Sequence, residues 1–378
     1  MIELNPSLAN LTLELSHASP DDLLRVEKRI FSALHTGEPL KTPQGLRNLY
    51  AQCCLELASS NDNPKAYWVD RGLIFGGPFT DSAEGLKDIA NEIGMQRAVE
   101  AVVKLREGSV NASDEGSTRI DQPLITDHEI PVNDLPVYEL AASELSLESF
   151  IADHLQRGSP VVIRGLVDCW EACELWKHTE FWKTHFGHRW VPVELGSYAQ
   201  DGFRMEIMKM EDYVNLVVSK VHTSGGADTA YLAQHDIFSQ IPSLEEDALP
   251  VPDYCYTGPD GLVKRSFFFS PPSVCSPLHT DPTDNMMCMV VGRKFVKLFP
   301  PYEADKLYLK DTVSVSLTSH LPMDLLTNPP DQTSFSRFYE ASSMSTILGP
   351  GDALFIPKGW FHFVKSLSGA INIAHFFR

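Results

Sequence analysis

His279 and Asp281, in the stretch SPLHTDPTDN that begins at Ser276, have side chains that could bind a metal ion. In a β-strand, residues two apart point to the same face, so both could point inward with Thr280 outside. An imidazole and a carboxylate supply two of the three ligands of a 2-His-1-carboxylate site, which suits Fe(II) and leaves coordination positions open. Most tripeptides of this kind are polar surface residues, so the tripeptide alone favours a polar turn.

Two residues far along the chain strengthen the metal hypothesis. His362 lies in an otherwise apolar run, where an unpaired polar group would be costly; it is either bound to a backbone carbonyl or a third ligand. Lys294 begins the segment KFVKLF. If Lys294 faces the interior of a barrel, it needs an anion, which a dicarboxylate cosubstrate would provide. The alternative for Lys294 is a position in water at the end of a hairpin.

Short strands separated by Pro and Gly turns dominate the chain from Tyr231 onward. The predicted strands are 265–269, 286–291, 295–299, 345–348, 353–356, 361–364 and 370–376. Many short strands without an intervening helix are typical of β-sandwiches and barrels. Upstream, 145–155 and 180–186 are predicted to be helices, and 159–165 and 190–194 are predicted to be strands.

The first 105 residues are predicted to form a helical lobe. Ser19-Pro20-Asp21-Asp22 is a helix start signal, and Thr42-Pro43 opens a second helix. A third helix ends at Gly76-Gly77-Pro78, and a fourth is predicted from Leu86 to Leu105. The sequence leaves two functions open for this lobe, a packing lobe for a catalytic domain or a module that binds a partner.

Residues 106–130, which include a polar segment of small side chains, are predicted to link this lobe to a catalytic domain over 131–378. The net charge of −19 makes direct nucleic-acid binding unexpected, because neutralising phosphates requires clustered Lys and Arg. An acidic protein is better suited to a basic peptide or protein partner. The stretch 236–254 has five acids and no Lys or Arg. It is either an attractive surface for such a partner or a solvated loop.

The seven cysteines are odd in number and lie mostly in apolar stretches, which indicates reduced thiols in a nuclear or cytoplasmic protein. The N-terminus lacks the pattern of a signal peptide, so secretion is not expected. No run approaches the ~18 apolar residues of a membrane span. The oligomeric state stays open.

Together, the motifs resemble the Jumonji C (JmjC) family of Fe(II)- and 2-oxoglutarate-dependent oxygenases, and most closely the lysine demethylase eight subfamily. The motifs are SPLHTDPTDN from Ser276, GRKFVKLFPP from Gly292, GDALFIPKGWFH from Gly351 and YLAQHDIFSQIPSL from Tyr231. The resemblance covers roughly residues 140–378. It implies a double-stranded β-helix, or jelly roll, of mainly β structure with a cupin-like core at about 230–378, preceded by the helical lobe.

The resemblance also implies roles for individual residues. Three side chains would bind Fe(II): His279, Asp281 and His362. Five would bind the 2-oxoglutarate cosubstrate: Lys294, Tyr231, Ser276, Asn285 and Gln234. Of these five, Lys294 would pair with the distal carboxylate. With O2 as the second cosubstrate, the expected reaction is hydroxylation of a protein side chain, for instance an arginine. Histone lysine demethylation and a non-catalytic scaffold are the alternatives.

Some positions depart from the subfamily pattern. Phe268 stands where a tryptophan is expected, and the chain ends in His375-Phe376-Phe377-Arg378 instead of a pair of tryptophans. Both departures are expected at the pocket wall, where they bear on the substrate and leave iron and cosubstrate binding intact. Asn372 occupies a position that is usually small and polar. Asp284 has no assigned role and is expected to face solvent.

Overall fold

A computed structural model describes residues 8–19, 22–35, 44–60, 65–77, 80–90, 118–122, 134–196, 204–219, 230–310, 317–322, 326 and 335–378. Several sequence predictions fall outside these ranges. They are Pro20 and Asp21 of the first helix start signal, the Thr42-Pro43 helix start, Pro78 of the stop signal, the fourth helix beyond residue 90, and the predicted linker 106–130 apart from 118–122.

The N-terminal part of the described chain is helical. Its helices are α1 Leu8–Ser16, α2 Leu23–His35, α3 Gln44–Ser60, α4 Lys65–Arg71 and α5 at residues 83–90. A π-helical turn, Gly72–Gly76, continues α4 and ends at Gly77, whose φ of 90° is easily adopted only by glycine. The helices share one apolar core that includes Leu11, Ile30, Leu57, Val69 and Leu86.

The rest of the described chain is built mainly from strands. They are β1 Leu135–Pro136, β2 Glu139–Ala141, β3 Val161–Arg164, β4 Trp190–Leu195, β5 Arg204–Lys209, β6 Ala230–His235, β7 Leu262–Ser270, β8 Cys275–Thr280, β9 Asp284–Val291, β10 Lys294–Phe299, β11 Met344–Leu348, β12 Ala353–Ile356, β13 Phe361–Ser366 and β14 Ala370–Phe377. Short helices accompany them: α6 Leu147–Ser149, α7 Ala172–Leu175, α8 Thr179–Phe181, α9 Met210–Val218 and α10 Ile237–Gln240. π-Helical turns at Phe150–Leu155 and Trp182–Phe186 extend α6 and α8.

The strands form two sheets. The smaller has the order β1-β11-β10-β13-β8, and the larger has the order β2-β3-β12-β9-β14-β7-β6-β4-β5. Within the described residues all pairings are antiparallel except β1 with β11 and β2 with β3. The side chain of Lys294 on β10 donates a hydrogen bond to Asn372 on β14, so the two sheets face each other. This architecture confirms the predicted jelly roll.

The predicted strands after residue 260 are all present. Strands β9 and β14 lie in the middle of the larger sheet with neighbours on both sides, and nearly all their residues are buried. A strand covered on both faces is a continuous apolar run, as in MMCMVV of β9. The larger sheet also contains β2 to β5, so it begins well before residue 230, where the core was predicted to start.

Two further sequence expectations concern cysteines and membranes. All seven cysteines are free thiols. Within the described part of the chain, no helix is both long enough and apolar enough to cross a membrane.

Candidate metal centre

The two histidines of the candidate metal centre meet because their strands are neighbours. Strands β8 and β13 pair antiparallel, with His279 directly opposite His362 and their ring centroids 4.2 Å apart. Asp281 lies just past the end of β8, where its carbonyl accepts a 3.2 Å hydrogen bond from the Gly359 amide. Its carboxylate is 3.5 Å from His362 Nε2 and 4.0 Å from His279 Nε2.

Thr280, between the first two ligands, does not line the cavity, which agrees with the strand argument, but it does not face solvent either. It is buried, and its hydroxyl accepts a 3.1 Å hydrogen bond from the Leu317 amide. The reason is that residues 317–319 lie against β8: the Thr280 amide donates to the Leu317 carbonyl, and Thr318 bridges to His279. The outer side of the metal centre is therefore covered by chain.

Backbone carbonyls orient both imidazoles. His279 Nδ1 is 2.7 Å from the Pro277 carbonyl, and His362 Nδ1 is 3.2 Å from the Trp360 carbonyl. A carbonyl only accepts, so each Nδ1 carries the proton and each Nε2 lone pair is free. His362 can therefore donate from Nδ1 to a backbone carbonyl and still offer Nε2 to a metal. The two interpretations that the sequence left open, a carbonyl-bound histidine and a third ligand, are thus compatible.

The charge state of the centre also suits a metal. Burial is the main cause, and the neighbouring His362 the second, of a pKa of about 4 for His279. This imidazole is therefore neutral near pH 7 and available as a ligand. One ligand atom from each of His279, Asp281 and His362 lies within 4.8 Å of the others. Two imidazoles and a carboxylate at this separation fit the facial triad of a non-haem Fe(II) site.

The centre opens into a cavity of about 470 Å³ between the two sheets. All eight residues predicted to bind metal or cosubstrate line it: Tyr231, Gln234, Ser276, His279, Asp281, Asn285, Lys294 and His362. They come from β6, β8, β9, β10 and β13 and from the turn after β8. Gln234 is exposed, whereas Asn285, Lys294 and His362 are buried.

Lys294 is 1% exposed, and its Nζ donates a 2.7 Å hydrogen bond to Asn372 Oδ1. The rings of Tyr231 and Phe268 lie 5.6 and 5.8 Å from Nζ. Burial lowers the pKa of Lys294 to about 7. Among the described residues no carboxylate pairs with Lys294, so its protonated ammonium is available to an anionic ligand.

Further polar groups complete the lining of the cavity. Asn285 Nδ2 lies 3.4 Å from Asp281 Oδ2, and its buried Oδ1 has no hydrogen-bond partner among the described residues. Burial raises the pKa of the Tyr231 phenol, which stays a neutral donor; a hydrogen bond to Ser276 acts in the opposite direction. An unsatisfied buried acceptor in a cavity is typical of a site that receives a polar ligand.

Several cavity residues were not predicted from the sequence. Lys310 and Thr318 line the cavity; Thr318 forms an isolated β-bridge with His279, and its carbonyl accepts a 2.7 Å hydrogen bond from the Lys310 amide. The sequence around these two residues has no periodic pattern that would place them there. Asn372, noted only as small and polar, proves to be the partner of Lys294.

The departures from the subfamily pattern divide between the cavity and the core. Phe268 and Phe376 line the cavity, whereas His375 and Phe377 are buried outside it. His375 packs against Trp170, with ring centroids 5.9 Å apart. The expectation of a changed cavity wall therefore holds for two of these positions.

The expectation that Asp284 faces solvent needs correction, and the contacts of the stretch 236–254 bear on the two alternatives that the sequence left open for it. Asp284 does not simply face solvent: it is half-buried and accepts a 2.8 Å hydrogen bond from the Lys358 amide, and burial raises its pKa. The acidic stretch 236–254 is only partly free to attract a partner. Asp236 caps α10, Glu245 pairs with Arg265, and Asp247 accepts from the Trp176 indole.

Comparison with known proteins identifies the family. Residues 147–378 match the family of cupin-like domains. This match covers more than half of the chain, so the chain belongs to the cupin-like domain family. Its fold, its histidine–aspartate–histidine site and its relatives place it in the JmjC class within that family.

Three relatives show the same likeness. The chain is 33% identical over 233 residues to lysine-specific demethylase JMJ30 of Arabidopsis thaliana, covering 61% of this chain and 53% of that protein. It is 35% identical over 232 residues to lysine-specific demethylase 8 of Xenopus tropicalis (61% and 50%). It is 30% identical over 233 residues to Jumonji C domain-containing protein 5 of Drosophila melanogaster (61% and 57%). The chain thus spans about half the length of the curated relatives it matches.

Proposed function

We propose that the protein is an Fe(II)- and 2-oxoglutarate-dependent dioxygenase that hydroxylates a side chain of a protein or basic peptide. One observation carries the proposal: the three candidate ligands, His279, Asp281 and His362, share a cavity with the buried Lys294 ammonium. A metal site alone would fit many enzymes. A metal site beside an unpaired buried cation favours an anionic cosubstrate that reaches from the metal to that cation.

Each polar group of the cavity has a function in this proposal. His279, Asp281 and His362 would hold Fe(II). When bound, iron and 2-oxoglutarate use O2 to convert a C–H bond to C–OH, with succinate and carbon dioxide as the other products. The protein itself supplies placement. Lys294, held by Asn372, would bind the distal carboxylate of 2-oxoglutarate.

The remaining polar groups orient the cosubstrate. Tyr231 is a neutral hydrogen-bond donor on β6, and Asn285 on β9 has a free acceptor. Ser276 lies on β8 three residues before His279, on the same cavity wall. Apolar side chains of Met287, Ile356 and other lining residues exclude water from the reacting centre.

Lysine demethylation is the second candidate, favoured by the names of two of the relatives. Both reactions would use the same residues and differ only in the atom that is hydroxylated. Hydroxylation of a side-chain carbon leaves a stable alcohol. Hydroxylation of an N-methyl carbon gives a product that breaks down to formaldehyde and the demethylated amine. A non-catalytic scaffold is the third candidate, and the presence of all three ligands speaks against it.

The test measures succinate formed from 2-oxoglutarate by the full chain with Fe(II), O2 and a library of basic peptides. His279→Ala and Asp281→Ala should abolish succinate formation, whereas His320→Ala, which removes an exposed histidine outside the cavity, should not. Mass spectrometry then separates the outcomes: a peptide that gains one oxygen supports hydroxylation, and loss of a methylene with formaldehyde supports demethylation. Turnover that persists in both alanine variants would refute the metal assignment.

A further inference from the structure

A buried hydrogen-bond network joins the helical lobe to the catalytic domain. Its centre is Asp70 on α4, which is 0% exposed and lies outside the residues that match the cupin-like family. The Asp70 carboxylate pairs with Arg189 Nη2 at 2.5 Å, accepts from the Trp190 amide at 2.8 Å and accepts from Gln240 Nε2 at 2.7 Å. One side chain of the lobe thus holds two segments of the catalytic domain, the start of β4 and the end of α10.

The network continues toward the cavity through Gln240. Its amide nitrogen donates to both Asp70 and the Trp190 carbonyl, so its carbonyl oxygen is the acceptor for His235 Nε2. His235 is the last residue of β6, the strand that also carries Tyr231 and Gln234. The path from the lobe to two proposed cosubstrate residues therefore takes two side-chain hydrogen bonds and one strand.

The backbone of β6 needs such support. Gln234 has a φ of 52°, in the left-handed region that side chains other than glycine rarely adopt. The pairing of β6 with β7 is irregular between Leu232 and His235, so the ladder itself does not fix this turn. Such a conformation persists only where the surroundings determine it. The hydrogen bond from His235 to Gln240 holds the residue that follows Gln234.

A second contact connects the lobe with the same histidine. A small cavity of about 90 Å³ is lined by Leu73, Ile74 and Gly77 of the lobe together with His235 and Gln240. Burial lowers the pKa of His235, and the neutral ring can donate through only one nitrogen. The lobe therefore both encloses His235 and, through Asp70 and Gln240, orients it.

We propose that Asp70 is a positioning residue through which the helical lobe fixes β6, and with it Tyr231 and Gln234, for binding of 2-oxoglutarate. The lobe is then a structural part of the cosubstrate site and not only a packing or partner-binding module. This inference rests on the proposed function for the identity of the ligand. The positioning of β6 itself does not depend on that identity.

The test compares three variants of the full chain. Asp70→Asn removes the charge that pairs with Arg189. Gln240→Met breaks the link from Asp70 to His235 and leaves the Asp70–Arg189 pair in place. It tests the same proposal if the Asp70→Asn variant does not fold. The matched control is Glu27→Gln, which weakens a buried ion pair inside the lobe, Glu27 with Arg71 at 2.7 Å, that does not touch β6.

Two measurements are made on each variant. Amide hydrogen exchange of a peptide that spans 230–235 reports on β6 in the protein alone. Calorimetry reports the Kd of 2-oxoglutarate for protein loaded with Mn(II), which binds without turnover, and the Kd of Mn(II) itself. In Gln240→Met and in folded Asp70→Asn, we expect about tenfold faster exchange in β6 and an about tenfold weaker 2-oxoglutarate Kd, with the Mn(II) Kd changed less than about twofold.

The control separates positioning from general destabilisation. Glu27→Gln should lower the melting temperature and leave β6 exchange and the 2-oxoglutarate Kd unchanged. The proposal is overturned if Gln240→Met and Glu27→Gln behave alike, or if neither changes β6. If the wild-type protein loaded with Mn(II) does not bind 2-oxoglutarate, the proposed function fails. In that case the exchange of β6 alone decides whether Asp70 positions the strand.

Discussion

Burial of the Lys294 ammonium group is unfavourable for the stability of the fold. Removing an ammonium group from water is unfavourable unless a charge or sufficient hydrogen bonds replace the water. Here a single amide oxygen, that of Asn372, and two aromatic rings stand in for it, and burial lowers the pKa of Lys294 to about 7. An apolar side chain would stabilise the empty fold better. The lysine is therefore best explained by an anionic ligand.

The first prediction concerns the removal of the Lys294 ammonium group. Lys294→Met should weaken 2-oxoglutarate binding about a hundredfold or more, since loss of one partner of a buried ion pair costs about 3 kcal/mol. Calorimetry on protein loaded with Mn(II) measures this Kd, and the Kd of Mn(II) should not change.

Because the 2-oxoglutarate dianion binds the protonated lysine, the wild-type Kd of 2-oxoglutarate should rise about tenfold per pH unit above about pH 7.

The same pKa of Lys294 makes stability depend on pH in the opposite direction to binding: as the pH rises, affinity for 2-oxoglutarate falls and stability increases. Without ligand, the folded pKa of about 7 lies below the ordinary value of 10.5, so the unfolded chain binds more protons between these values. The contribution of Lys294 to the free energy of unfolding therefore rises with pH across this window. Lys294→Met should flatten both dependences. A wild-type Kd that stays constant from about pH 7 to about pH 9 would contradict the role of Lys294 as the cosubstrate clamp.

At the scale of elements, the sequence predicted central strands well and edge strands poorly. The apolar runs of β9 and β14 result from burial on both faces of the sheet. The unpredicted strands are β1, β2, β5, β6 and β8, and all of them except β6 are the last in their sheets. β8 contains Pro277 and several polar residues, and β5 is largely exposed. Proline and polar residues are tolerated at an edge, where pairing on one side is absent.

The metal centre was predictable only in part for the same reason. The spacing of His279 and Asp281 suggested two ligands, but it did not indicate which distant histidine completes the set. That depends on the register of β13 against β8, which places His362 opposite His279. Register is set by packing along both strands and by the turns that join them. The apolar run around His362 made it a candidate for the third ligand, and only the likeness to a known family decided between that role and a bond to a backbone carbonyl.

The turns before β10 and β13 allow a prediction about two glycines. Gly359 has a φ of 80°, and an added Cβ would meet only Pro301, at 4.0 Å. Gly292 has a φ of 73°, and an added Cβ would lie 2.1 Å from the Gly369 carbonyl oxygen. Gly359→Ala should therefore cost about 1 kcal/mol of unfolding free energy, the backbone term alone. Gly292→Ala should cost more than about 3 kcal/mol, because packed backbone must also move.

Urea unfolding of both variants measures the difference. Gly292 lies two residues before Lys294, so Gly292→Ala should also weaken 2-oxoglutarate binding. Gly359→Ala is the matched control, because it introduces the same strain of a positive φ without the close contacts of Gly292. Equal losses of stability in the two variants would mean that the backbone around Gly292 adapts freely. In that case the position of Lys294 would not depend on this turn.

At the scale of the whole molecule, charge is distributed unevenly. The chain carries a net charge of −19, yet its cavity is lined by two lysines, Lys294 and Lys310. Three of the five acids in the stretch 236–254 have partners within the fold, as described above, so that stretch is not a dedicated docking surface. An attraction for a basic substrate would instead come from the summed field of the molecule, which acts before contact and is screened by salt.

The last prediction tests this origin of substrate attraction. If the net charge steers a basic peptide to the cavity, kcat/KM for that peptide should fall about three- to tenfold between about 50 mM and about 500 mM salt. A neutral peptide with the same modified residue should show no such loss. Glu246→Gln, a change in the acidic stretch, should leave the salt dependence intact, because one charge barely alters a field that the whole surface generates. If Glu246→Gln removed the salt dependence, the attraction would be local and the stretch 236–254 would be the docking surface after all.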